Sequence, residues 1–281
     1  MKIDFHVHIT PPDIIADWRK YAEKEEYFSL LSQSKNNKFA TAEDVIASLE
    51  AGTVDRAVVF GFAFRDIGLC RYVNDYVIEK AGEYPEKLTG FMVTPVRGEE
   101  TAKEIERCFR GGLAGVGELF PEGQGFDLED KAQMRHLVDT CRELSLPILL
   151  HANEPVGHYY PGKTGVSIRQ LETFASNNPD LKIILAHWGG GLLFYETMSE
   201  IKEKFRNVYY DTAATPFLYD SRIYRAAKAL GLCEKILFGS DFPLLAPSRY
   251  FPALEESGLD AGEKFLILGE NAQKLLGNMT G

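Results

Sequence analysis

Cysteine is scarce: Cys70, Cys108, Cys141 and Cys233 are the four in 281 residues, and no two form a Cys-x-x-Cys pair. Such wide spacing, in helix-like stretches, argues against a disulfide framework or zinc knuckle and fits small core residues in a reducing compartment. Positive charge is also short. Lys and Arg number 31 against 41 Asp and Glu, a net charge of −10, and no basic stripe or tail interrupts that balance. General binding to nucleic acid or to an anionic membrane is therefore not expected. No apolar run approaches bilayer-spanning length, and Met1-Lys2 leads straight into a strand pattern without a secretory leader. A cytoplasmic protein is the simplest expectation. Repeats, low-complexity tracts and linkers are missing too, so nothing marks a second domain.

What is present is alternation. Short, mostly apolar runs at 3–8, 57–60, 88–93, 114–119, 147–151, 182–187, 208–211 and 235–239 read as strands, each followed by helical material. Strands so continuously apolar suit a parallel sheet buried on both faces. Eight such units in this length favour an α/β fold of the (β/α)8 TIM-barrel type, as a single domain over residues 1–281. After the first strand, Thr10-Pro11-Pro12 opens a long connection, about residues 10–40, carrying Trp18, Tyr21, Tyr27 and Phe28. Connections of that length are functional lids or surface excursions packed on the rim. Helices are expected at 41–51, capped by Thr41 to Asp44, and as one element from about 192 to 205.

The opening strand, Ile3-Asp4-Phe5-His6-Val7-His8, alternates apolar and polar residues. A period of two places Ile3, Phe5 and Val7 on one face and Asp4, His6 and His8 on the other. Two strand residues advance about 6.6 Å, so the two imidazoles can converge on one ion at about 2.0–2.1 Å. In a barrel the site forms at the C-terminal strand ends. Glu118 ends the fourth strand, His151 the fifth and His187 the sixth, while Asp241 follows the eighth. Four of six histidines and two carboxylates thus share one rim, a nitrogen and oxygen donor set for a divalent metal, zinc first, with manganese, iron or nickel as alternatives. An ion with an open position acidifies a bound water to pKa about 7. Asp241 is positioned to take that water's proton and return it to a leaving group. His187 is a candidate carbonyl polariser, acid/base or ligand of a second ion. Glu118 bridges two ions or faces substrate beside one.

This pattern resembles the amidohydrolase superfamily of metal-dependent (β/α)8 barrels. The phrases IDFHVHI, HANEPVGHYYPGK, ILAHWGGG, VYYDTAAT, LFGSDFP and GENAQKLLG resemble its amidohydrolase-related branch, which holds both decarboxylases and hydrolases. The resemblance implies that His6, His8 and Asp241 bind a first metal. In the decarboxylases it implies His151 on that same ion and His187 as acid/base. In two-metal hydrolases it implies His151 and His187 on a second ion, with Glu118 bridging. The Gly-Glu setting of Glu118 also resembles TatD-type deoxyribonucleases, which the acidic balance disfavours. The resulting expectation is a hydrolase of a small carboxylated or cyclic substrate, with a carboxy-lyase as the alternative. Relatives of this kind often form homodimers.

Other candidates stand outside that set. Arg65, just past the second strand, could clamp a substrate carboxylate, and His158 lies in the loop after the fifth as a substrate contact. Gly189-Gly190-Gly191 could offer N–H groups to an anion or simply turn the chain. Asp211, ending the seventh strand, could orient a ligand histidine. Asp4 is expected to be buried and hydrogen-bonded, and His136 to be packed or solvated.

Overall fold

A computed structural model describes residues 1–35 and 38–277. Positions 36 and 37 of the long connection, and the four C-terminal residues, lie outside the described residues. Eight parallel strands run in chain order: β1 Ile3–His8, β2 Arg56–Phe60, β3 Leu88–Gly90, β4 Val116–Leu119, β5 Ile148–Leu150, β6 Ile183–Leu185, β7 Val208–Asp211 and β8 Ile236–Leu237. Regular ladders join β1 to β3 and β4 to β8. Two irregular seams close the barrel. At one, Met92 bridges Val116, with Met92 N–H donating to Gly115 O at 2.9 Å and Gly117 N–H to Met92 O at 2.7 Å. At the other, Val7 bridges Phe242, and Phe5 N–H donates to Phe238 O at 2.7 Å.

The first seam is why β3 and β4 are shorter than expected. A Cβ at Gly115 would lie 2.4 Å from the Phe91 ring, so that aromatic packs against bare backbone beside the seam.

Strict alternation fails in β1. Its register against β2 shifts between Asp4 and Val7, a bulge that inserts an extra residue and reverses the facing. Ile3 and Phe5 pack inside the barrel with Val58, Leu149, Ile184 and Leu237. Asp4 and Val7 instead border a cleft with Val45, Leu49 and Val54 on the helix side. Asp4 therefore does not share a face with the two histidines.

The long connection folds into three short helices, α1 Pro12–Ala16, α2 Trp18–Ala22 and α3 Glu26–Ser32. Phe28 packs with Phe64, Cys70 and Val93. Buried Glu25 accepts from the N–H groups of Arg65 and Asp66, each at 2.9 Å, which fastens this cover to the loop after β2. The helix at Ala42–Glu50 begins on a reciprocal Thr41–Asp44 cap, as its sequence predicts.

After β6 the single expected helix is instead a 3₁₀ turn at Leu192–Thr197 and a helix at Ser199–Lys204. Buried Glu196 accepts from Tyr210 Oη at 2.8 Å and Lys235 Nζ at 2.5 Å. That contact draws the segment inward where a continuous helix would carry it away. Among the described residues no helix is long and apolar enough to cross a membrane.

Candidate metal centre

The strand ends converge. His6 Nε2 and His8 Nε2 lie 3.3 Å apart. Asp241 Oδ1 is 3.7 Å from the first and 3.5 Å from the second. Glu118 Oε2 is 3.5 and 3.6 Å from the same two nitrogens. Donors sharing an ion at about 2.1 Å in tetrahedral geometry sit about 3.4 Å from one another. The spacings therefore fit one divalent ion held by His6, His8 and Asp241, with Glu118 on its flank.

Glu118 faces two ways. Its other oxygen, Oε1, is 3.0 Å from His151 Nδ1 and 3.7 Å from His187 Nε2. His6, Glu118 and His187 make a second cluster of donor atoms within 4.8 Å of one another. His151 stands beside this set: its Nε2 is 2.8 Å from the Gly162 carbonyl, and its ring stacks on Phe120 at 3.8 Å. Both of its nitrogens are engaged, so His151 meets Glu118 and not the His6–His8–Asp241 set.

Each position has a backbone reason. Gly117 precedes Glu118 with φ at +136°, and a Cβ there would lie 2.3 Å from Leu149 O. Only glycine lets β4 approach β5 that closely. A Cβ on Gly239 would come within 2.8 Å of His6 Cβ, so β8 too must thin where it passes the site. Asp241 takes a left-handed backbone, φ +59°, and its N–H donates to His6 O at 2.9 Å. Asp4 secures the same turn, accepting from Ser240 N–H at 2.8 Å and Oγ at 2.5 Å. Burial pushes its carboxyl up to about 7, against those hydrogen bonds.

Ring orientation is set from behind. Asp211, fully buried, accepts from His6 Nδ1–H at 2.8 Å and, through its other oxygen, from His187 N–H at 2.9 Å. That leaves the His6 Nε2 lone pair directed at the cluster. His187 Nδ1 lies 3.0 Å from Ala213 O. A carbonyl only accepts, so the proton sits on Nδ1 and Nε2 faces Glu118.

The charges are strongly coupled. Burial opposes a charge on His6, yet Asp211 and Glu118 hold its imidazole well above the ordinary value. Burial likewise opposes ionisation of Glu118 and Asp241, but neighbouring histidines hold the first far below the carboxylate range and the second at about 2. His187 rises to about 9 against burial through Glu118 and Asp241. His151 goes the other way, since its burial outweighs Glu118. Two ionised carboxylates are thus balanced by protons on histidines. A divalent cation satisfies the same carboxylates while displacing those protons, so the donor chemistry fits a metal.

The cluster opens into a cavity of about 300 Å³ walled by Tyr27, Phe28, Phe62, Phe120, Tyr160 and Phe217. Two of these come from α3, so the long connection covers the site. Sequence reasoning passed over Phe62, Phe120 and Phe217; for the first two the signal was an aromatic just beyond a strand end, while Phe217 sits on the short helix Thr215–Leu218. His158 lines the cavity. Arg65 does not. Its Nε donates to Gly123 O at 2.6 Å and its Nη2 to Glu122 O at 3.2 Å, so it braces the turn after β4 instead of reaching a substrate. His136 is next to Arg135, away from the site, and the 189–191 glycines all take positive φ as a turn.

Known structures share this architecture. A 5-carboxyvanillate decarboxylase from Novosphingobium aromaticivorans, complexed with manganese, is 16% identical with a TM-score of 0.77, covering 99% of this chain and 96% of its own. A 2,6-dihydroxybenzoate decarboxylase from Rhizobium is 16% identical, TM-score 0.72, covering 100% and 99%. A protein assigned as a 2-pyrone-4,6-dicarboxylic acid hydrolase, from Acinetobacter baumannii, is 15% identical, TM-score 0.64, covering 98% and 99%. The family model described as amidohydrolase matches residues 3–277. With its strand-end histidines and carboxylates in that order around a parallel barrel, the chain belongs to the amidohydrolase family.

Proposed function

We propose that this chain is a metal-dependent hydrolase of a small cyclic or carboxylated substrate. The supporting observation is the double-facing Glu118 carboxylate, one oxygen toward His6 and His8 and the other toward His151 and His187. A carboxylate so placed suits a bridge between two ions, zinc or manganese among the candidates, with His6, His8 and Asp241 holding the first. A divalent ion held there supplies a water of pKa about 7 and a Lewis acid for a carbonyl.

The protein's own groups do the rest. Asp241 lines the cavity and, being ionised, would accept a proton there and return it to the leaving group. His187 presents Nε2 to the cavity with Nδ1–H fixed on Ala213, so a substrate oxygen meets one defined nitrogen. Phe62 and Phe120 hold the His8 and His151 rings by stacking and exclude water from them. A planar substrate fits between such walls.

A carboxy-lyase is the second reading, favoured by one observation. His187 keeps Nδ1–H on Ala213 O and lines the cavity, which suits an acid/base beside a single ion. Turnover in ¹⁸O-labelled water separates them. Label in the product without carbon dioxide supports hydrolysis, whereas carbon dioxide release without label overturns it.

A further inference from the structure

The cavity is apolar on its walls and carries Glu118 and Asp241 at its centre, in a chain of net charge −10. An anionic substituent on a substrate would need a cation there, and the expected one, Arg65, is committed to two backbone carbonyls. Lys163 is committed likewise, to the carbonyls of Val156 and His158. Among the described residues Lys38 is the one lysine or arginine on the cavity lining, and no carboxylate of a described residue pairs with it. Its base is anchored. Phe39 packs against Phe28 and Phe62, and Ala40 O accepts from Thr10 N–H at 2.8 Å.

A second group on the cavity lining, from the same connection, is a hydroxyl without a partner. The Tyr27 hydroxyl is buried without a hydrogen-bond partner, although its ring lines the cavity and packs at a tilt against Phe120. A buried hydroxyl left unpaired costs stability, so a ligand oxygen that accepts from it gains what the free protein lacks. Both groups belong to the connection between β1 and the helix at Ala42–Glu50, not to the strand ends.

We infer that this connection selects the substrate: a flat, largely apolar ring whose acidic substituent pairs with Lys38 and which accepts a hydrogen bond from Tyr27. The inference rests on the reading of the cavity as the substrate site. Charge-assisted hydrogen bonds are the strong ones, so the acidic substituent, more than the ring, would set affinity.

Benzoate and benzene-1,3-dicarboxylate, titrated calorimetrically into manganese-loaded protein, test it. The added carboxylate should improve Kd about tenfold in the native chain, less than twofold in Lys38→Met, and about tenfold again in Lys38→Arg. Tyr27→Phe should weaken the dicarboxylate about fivefold without lowering the melting temperature, because no internal bond is lost. An undiminished carboxylate gain in Lys38→Met overturns the assignment, as does a gain abolished by His158→Gln instead. A Tyr27→Phe variant that melts earlier but binds equally removes Tyr27 from it. The same titrations on metal-stripped protein keep the tests separate. Absent manganese uptake, scored by elemental analysis, counts against the metal centre, while a Lys38-dependent gain there still supports the anion site.

Discussion

His6 and Asp211 share a 2.8 Å hydrogen bond with both side chains sealed from solvent. Asp211 also accepts from the backbone of His187, so one carboxylate orients parts of both donor clusters. Asp211→Asn keeps the shape but removes the charge behind His6. Metal affinity should fall about 10- to 100-fold. Competition against a chelating dye measures it, and an unchanged affinity would deny Asp211 this orienting role.

Asp241 carries the proton transfer proposed above. Asp241→Asn should cost about 10²- to 10⁴-fold in turnover with circular dichroism unchanged. Near-native turnover would require a different base.

Metal removal should act on stability as well as activity. His6 and His8 sit on β1 while Asp241 follows β8, so an ion held between them ties the first strand to the last. Excess ion at about 100 times its Kd contributes about 2.7 kcal/mol. Dialysis against chelator should lower Tm by several degrees, and manganese or zinc should restore it. A Tm indifferent to metal would count against this donor set.

Away from the site, a further acid-sensitive contact is expected at Glu104. This buried carboxylate accepts from Arg107 and Asn74, each at 2.8 Å, and from Cys108. Burial opposes its ionisation, but these partners lower its pKa below 4.5. A depressed folded pKa gives stability that is present above the unfolded value and lost as pH falls through the folded one. Glu104→Gln should therefore destabilise by about 1–3 kcal/mol at pH 7 and by progressively less below pH 4.5. Urea melts at two pH values decide this, and a pH-independent difference would assign the effect to packing.

The rim residues were legible because strands so apolar leave polar groups few places to go. His8, Glu118, His151, His187 and Asp241 line one cavity, His6 is buried against them, and Asp211 stands behind His6. What one-dimensional pattern could not hold was local breakage of periodicity. The shift of β1 against β2 put Asp4 on the opposite face from the two histidines, since such a bulge is set by pairing with another strand. Arg65 was misread for a related reason: two carbonyls of the turn after β4 capture its guanidinium, and nothing near Arg65 in sequence announces them. The break at Leu192–Thr197 answers to Lys235, a residue some forty positions away.

The seam between β1 and β8 carries a consequence for biosynthesis. Asp4 holds the turn of Asp241 through Ser240, a contact spanning 236 residues. On the ribosome His6 and His8 are made long before Asp241, and their partner is missing over the whole of that interval. Until then the two imidazoles are a weak, incomplete chelate. Copies cut short before Asp241 thus lack one member of the His6–His8–Asp241 set.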